Sequence, residues 1–156
     1  MSYQENYQKW VDFAELPDYL RQDLENMDEK TKEDAFYTNL EFGTAGMRGL
    51  IGAGTNRINI YVVRQATEGL ARLIESKCGN EKERGVAIAY DSRHFSPEFA
   101  FESAAVLAKH GIKSYVFESL RPTPELSFAV RHLNCFAGIM VTASHNPAPV
   151  SYTHLR

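Results

Sequence analysis

Apolar residues recur at roughly helical intervals in the first 39 positions, where Trp10, Phe13, Leu16, Leu20, Leu24 and Met27 stand out from an acidic and polar background. That spacing predicts short amphipathic helices, each laying an apolar stripe on the body of the protein. Pro17 before Asp18 suits a helical first turn, and Asp28 with Glu29 suits another, because carboxylates are favoured at the positive helix N-terminus. The pattern changes at Leu40, where Gly43, Gly46, Gly49, Gly52 and Gly54 follow in quick succession with few charges between them. Such a run reads as loop and short strand. After Asn59, a capping residue type, the positions Ile60, Val63, Leu70, Leu73 and Ile74 return to one helical face and predict a helix to about Lys77, ended by Gly79 and Asn80.

From Val86 the period shifts. Val86 to Tyr90 is an apolar run of strand length, and Ser96-Pro97-Glu98 after it predicts a capped helix start with a helix reaching about His110 and stopping at Gly111. Lys113 to Phe117 reads as the next strand, Thr123-Pro124-Glu125 repeats the helix-start pattern, and Phe136 to Val141 supplies another buried strand. Alternation of this kind predicts a layered α/β sheet rather than a helical bundle.

Composition narrows the classes. With 156 residues, 44% of them hydrophobic and 24% charged, the chain has enough apolar material for about one globular domain. A formal charge of −3 gives no overall attraction to a polyanion, so neither nucleic acid nor an acidic membrane surface is an expected partner. No stretch approaches the roughly 20 apolar residues of a membrane span. Cys78 and Cys135 match no zinc-ligand spacing and are too sparse for a disulfide framework, so a reduced, cytoplasmic protein is expected.

In open α/β sheets the loops beyond the carboxyl ends of the strands converge on one crevice. Three segments qualify: Asp91-Ser92-Arg93, Arg121-Pro122-Thr123-Pro124, and Thr142 to Pro147. In the last, Ser144 is flanked by a hydroxyl, an imidazole and an amide in a turn that Pro147 stiffens. Spacing alone leaves two readings open: a chemically active serine, or a turn in which Ser144 and Asn146 bond the backbone. A hydrolase is less well supported, because the residues are not Gly-x-Ser-x-Gly and His145, a sequence neighbour, need not face the serine as a triad base must.

Thr142-Ala143-Ser144-His145-Asn146-Pro147 resembles the active-site serine loop of the α-D-phosphohexomutase family, the phosphoglucomutases and phosphomannomutases. Phe42-Gly43-Thr44-Ala45-Gly46-Met47-Arg48-Gly49 resembles the family's Phe-Gly-Thr-x-Gly-x-Arg-Gly segment, and Asp91-x-Arg93 and Pro122-Thr123-Pro124 fit the landmarks between. The resemblance covers about Leu40 to Pro147, and the helical arm is most like that of longer bacterial phosphoglucomutases and their phosphopentomutase relatives. It implies a three-layer α/β/α domain with a mixed sheet over residues 40–149, preceded by an N-terminal helical extension over 1–39.

The resemblance also implies a chemistry. Ser144 would be the phosphoserine that donates its phosphoryl group to a hexose monophosphate, with glucose 1,6-bisphosphate as the phosphorylating activator. Magnesium would touch the phosphate on Ser144, since charge spread over phosphoryl oxygens calls for a hard cation. Arg48 can grip phosphate in a bidentate fork. Thr44 and Asn146 are further phosphate-binding candidates, His145 and Asn146 are orienting candidates, and Asp91 with Arg93 is expected as an ion pair that fixes loops. The partner is a small sugar phosphate. Phosphoglucomutase is the leading member, with phosphomannomutase, phosphopentomutase or a non-catalytic phosphosugar- or partner-binding module as alternatives; oligomeric state is left open.

Beyond Pro149 the pattern breaks. The family continues through Tyr-Asn-Gly-x-Lys, whereas here Val150-Ser151-Tyr152-Thr153-His154-Leu155-Arg156 follows, with His154 where the lysine is expected. Residues 150–156 therefore read as a non-matching, truncated or artefactual tail. The family's later domains, with their Asp-x-Asp-x-Asp-Arg metal loop, are not in this sequence, so the fragment itself is expected to have little or no mutase turnover.

Overall fold

The computed structural model describes residues 2–44 and 46–143, together with the backbone of 150–155. Three helices form the arm: α1 (Tyr3–Val11), α2 (Asp18–Asn26) and α3 (Glu29–Phe36). Ser2 and Glu5 form a reciprocal capping box on α1, and the Asp28 carboxylate accepts the Thr31 N–H to cap α3. The helical-interval stripe becomes a core of its own, with Leu16, Leu20, Leu24, Ala35 and Phe36 buried against Ala53 and flanked by Trp10, Met27 and Tyr61. Phe13 stays at its rim, 42% exposed and edge-on to Tyr61.

A short hairpin follows, β1 (Phe42–Gly43) and β2 (Gly46–Leu50), then α4 (Ile60–Glu75), the single turn α5 (Glu81–Arg84), β3 (Val86–Tyr90), α6 (Ser96–Lys109), β4 (Ser114–Val116), α7 (Thr123–His132), β5 (Ala137–Thr142) and β6 (Val150–Leu155). Asn59 caps α4 as expected, accepting the Val62 N–H at 3.1 Å. The helix ends sooner than Gly79 and Asn80 suggest, because the Ser76 hydroxyl donates to Leu73 O at 2.7 Å and its N–H to Arg72 O, satisfying the last-turn carbonyls. Gly111, at φ 66°, stops α6 where predicted.

The strands form one mixed sheet in the order β1-β2-β6-β5-β3-β4. β3 pairs in parallel with both β4 and β5, while β6 runs antiparallel between β5 and β2. Alternation along the strands sorts side chains into two layers. Val86, Ile88, Tyr90, Ile139 and Val141 pack with α4 and α6, and Ala87, Ala89 and Met140 pack with Leu126 of α7. Gly138 permits that second layer, since a Cβ there would lie 2.7 Å from Val130 Cγ2 of α7. The result is the three-layer α/β/α domain with a mixed sheet and a preceding helical arm.

The connections locate the crevice. The chain leaves β3 through α6 to β4 on one side, then returns through α7 across β3 to β5 on the other. Right-handed crossovers in opposite directions must place their helices on opposite faces, as α6 and α7 are. The carboxyl ends of β3 and β5 thus flank a topological switch point, where open α/β sheets leave space for a ligand.

Candidate functional site

Where the structure describes them, the three segments singled out in the sequence meet at this edge, the last of them through Thr142 and Ala143. Tyr90 pairs with Val141 in the β3–β5 register, and the Asp91 N–H donates to Val141 O at 3.1 Å. The Arg121 segment closes from the other side, with the Arg121 N–H donating to Tyr90 O at 3.0 Å. The Arg121 side chain is engaged locally by Ser119 Oγ, Leu120 O and the Glu125 carboxylate, so it fastens the entry to α7.

Asp91 organises the junction. Its Oδ1 accepts the Arg93 N–H at 2.9 Å and the Ser96 hydroxyl at 2.8 Å; its Oδ2 accepts the Thr142 hydroxyl at 2.8 Å and the Ala143 N–H at 2.9 Å. Partial burial pushes its pKa upward, but these four donors together outweigh it and hold the carboxyl below the usual range. The expected tie between Asp91 and Arg93 is therefore made through the Arg93 backbone N–H. Ser96 likewise departs from expectation: it is the first residue of α6, with Phe95 in the capping position at φ 65°, and its hydroxyl serves Asp91 rather than the helix.

Ser144, His145 and Asn146 lie outside the described residues. What is described is the lead-in: Thr142 and Ala143, both buried, bring the chain to Ser144 directly from Asp91. Arg48, exposed on β2, and Thr142, at the end of β5, are both register partners of Tyr152 in the intervening β6. Residues in one such row share a face of the sheet, about 10 Å apart across two strand spacings. Arg48 thus stands on the same row of the sheet as Thr142, from which the chain enters the serine loop. Thr44 is exposed in the turn closing the β1–β2 hairpin, at the other end of β2 from Leu50.

The described residues contain no cluster of three or more His, Cys, Asp or Glu able to hold a metal ion. Asp91, the carboxylate bonded to the lead-in of the serine loop, has both oxygens occupied by hydrogen-bond donors. The described residues do not by themselves make a magnesium site. A cavity of about 550 Å³ opens beside β4 and α7, lined by Phe117, Arg121, Phe128 and Leu133, and includes none of Asp91, Thr142 or Arg48. No helix among the described residues is long and apolar enough to cross a membrane.

Comparison with known proteins gives a consistent picture. Residues 39–152 match the family described as Phosphoglucomutase/phosphomannomutase, alpha/beta/alpha domain I. A phosphoglucomutase of Staphylococcus epidermidis is 43% identical over 139 residues, 88% of this chain and 24% of that one. One from Staphylococcus aureus is 48% identical over 116 residues, 74% of this chain and 20% of its own. A solved structure from Thermus thermophilus, named as a phosphomannomutase, superposes with a TM-score of 0.65 at 33% identity, covering 76% of this chain and 26% of that one. The chain thus spans about a fifth to a quarter of the length of the curated relatives it matches.

Proposed function

The chain belongs to the phosphoglucomutase/phosphomannomutase family, of which it is domain I, and from that premise we propose that it carries the phosphoserine of a phosphoglucomutase interconverting glucose 1-phosphate and glucose 6-phosphate. The observation that supports this reading most is the setting of Thr142 and Ala143 at the switch point. A buried strand ends there under the grip of Asp91, and the next residue is Ser144.

Ser144 would hold the phosphoryl group as an ester, which keeps it from water between the two half-reactions. In the first half, the bond between Ser144 Oγ and phosphorus breaks as a sugar hydroxyl oxygen bonds to phosphorus, the hydroxyl's proton passing in net to Ser144 Oγ, which leaves a free serine and a bisphosphorylated sugar. In the second, the turned sugar returns its other phosphate to Ser144. Arg48, on the row that leads into the loop, would bond the phosphoryl oxygens, with Thr44 and Asn146 as further phosphate contacts and His145 beside the serine. Magnesium would meet the phosphate on Ser144 and supply countercharge there, with its remaining ligands from outside the described residues. The glucose reading is favoured by the phosphoglucomutases at 43% and 48% identity; the phosphomannomutase at 33% makes mannose phosphate the second choice. Such an enzyme would work in the cytoplasm, and this chain alone would have little or no turnover.

The test is to incubate the full-length enzyme carrying this domain, and its Ser144→Ala form, with glucose 1,6-bisphosphate and weigh the intact proteins. A gain of one phosphate in the parent and none in Ser144→Ala is expected. Labelling that survives the substitution sinks the assignment.

A further inference from the structure

The Asp91 carboxylate divides its work by direction. Oδ1 faces the start of α6 through Ser96 and Arg93, and Oδ2 holds the hydroxyl of Thr142 and the N–H of Ala143, the last described residues before Ser144. We propose that Asp91 is a positioning residue for phosphoryl transfer at Ser144, setting through Thr142 and Ala143 the direction in which the serine loop leaves β5. This rests on the reading of Ser144 as the phosphoryl carrier and adds a residue to it.

Valence supports the assignment. Four donors converge on two oxygens, and an ionised carboxylate has a lone pair for each of them. An asparagine would keep one oxygen for two of the donors and turn its amide toward the other two, where the hydroxyl could turn to accept but the backbone N–H would face a donor. Saturation also limits what Asp91 can do, since with both oxygens occupied its contribution is geometry rather than proton transfer or metal binding.

The anchor on the other side is rigid. Ser96 is fully buried, and it reaches back to Asp91 because Phe95 adopts φ 65°, a left-handed conformation that bulky residues rarely accept. The Phe95 ring is held between Tyr19 of α2, at 5.0 Å, and Phe99 of α6, at 5.9 Å, both nearly parallel to it. Packing from the arm and from α6 therefore fixes the turn that fixes Asp91. Such surroundings suit a group that must hold a reacting loop in one place, because phosphoryl transfer requires the attacking and leaving oxygens in line.

A contact that served only folding would lower stability and leave turnover alone, so the test separates kcat from melting temperature. In the full-length enzyme, Asp91→Asn is expected to lower kcat about 10²-fold, the scale of a misplacement near 1 Å, with KM for glucose 1-phosphate changed less than about 3-fold. Thr142→Val, which removes one donor from the same oxygen, should lower kcat about 10-fold, Thr142→Ser should restore it, and the double substitution should fall short of the product of the singles. Wild-type kcat in a destabilised Asp91→Asn protein, or multiplicative effects of the two substitutions, would overturn the proposal. Should Asp91→Asn not fold, the pair Thr142→Val and Thr142→Ser decides the matter: equal kcat in both overturns it. Loss of label in Ser144→Ala together with an unimpaired Asp91→Asn rejects the positioning role alone, whereas label retained in Ser144→Ala removes the premise.

Discussion

His110, at the end of α6, has a carboxylate on each ring nitrogen. Nε2 lies 2.7 Å from Glu68 Oε2 and Nδ1 lies 3.1 Å from Glu75 Oε2, both on α4. Glu68 is also met by Arg72, and Glu75 by Lys82, whose ammonium donates to His110 O as well. A neutral imidazole has only one N–H, so both contacts are hydrogen bonds only when the ring is protonated. The bonds to Glu68 and then Glu75 accordingly raise the His110 pKa above its ordinary 6.5. The Arg72 and His110 bonds lower that of Glu68, and the His110 and Lys82 bonds lower that of Glu75, from 4.5. The sign follows from these directions. The histidine's share of stability is complete below about pH 6.5 and is lost as pH rises through its raised value; the glutamates' share is complete above about pH 4.5 and is lost as pH falls through their lowered values. The bridge between α4 and α6 is thus strongest between those limits. Melting temperatures of the wild type and His110→Gln, measured from about pH 5 to about pH 9, should converge as pH rises. A difference that stays constant over that span would show the bridge to be independent of the ring's charge.

At the scale of elements, Asn59 joins three of them. Its Oδ1 caps α4, while its Nδ2 donates at 2.9 Å both to Gly52 O and to Gly54 O, and the residue is 1% exposed. Asn59→Ala should therefore cost more than a cap, about 2–3 kcal/mol once a buried and a partly buried carbonyl also lose their donor. Asp is as good a cap as Asn, so Asn59→Asp would be neutral if capping were the whole effect. It is expected to lose more than about 1 kcal/mol in urea denaturation, because a carboxylate would then face the Gly52 and Gly54 carbonyls. The capping role was legible from the residue type and the apolar period after it. Its grip on the glycine loop was not, since that depends on where the chain turns between Gly52 and Gly54. The same division runs through the site. The β3 span from Val86 to Tyr90 and the three loops at one edge follow from local apolar runs and helix-start residues. The Asp91–Thr142 bond joins positions 51 residues apart and exists only because β3 and β5 pair in one register, which no local pattern encodes. Ser96 misled for the same reason: its hydroxyl, a natural cap, is taken by a partner that the helix-start pattern does not contain.

The described residues form three apolar clusters, one on each face of the sheet, with α4 and α6 and with α7, and one within the arm. Whether they unfold together depends on what joins them. The arm cluster is completed by Ala53 and Tyr61, which belong to the glycine loop and to α4, so the arm does not close on itself. Asp23 of α2 accepts the Ala53 N–H at 2.6 Å, Asn56 of the glycine loop donates its N–H to Ala35 O of α3 at 2.9 Å, and the Arg57 guanidinium pairs with Asp34 of α3 at 2.6 Å while itself buried. These are polar links in partly buried surroundings, and breaking the arm away would leave several of them unsatisfied. Trp10, the only tryptophan in the sequence, lies in this cluster with its ring 5.8 Å from Phe36 and 5.5 Å from Tyr61, both edge-on. Its fluorescence therefore reports on the arm, while far-UV circular dichroism reports on all the helices. The two should give coincident transitions in urea, as expected of a single cooperative unit. Phe36→Ala, which empties the centre of the arm, should shift both midpoints together, by about 3–5 kcal/mol of stability. A tryptophan transition at lower urea than the loss of ellipticity would instead make the arm a separately melting unit. In that case Tyr19 would release Phe95 before the sheet opened, and the support of the Asp91 turn would be the first part of the site to go.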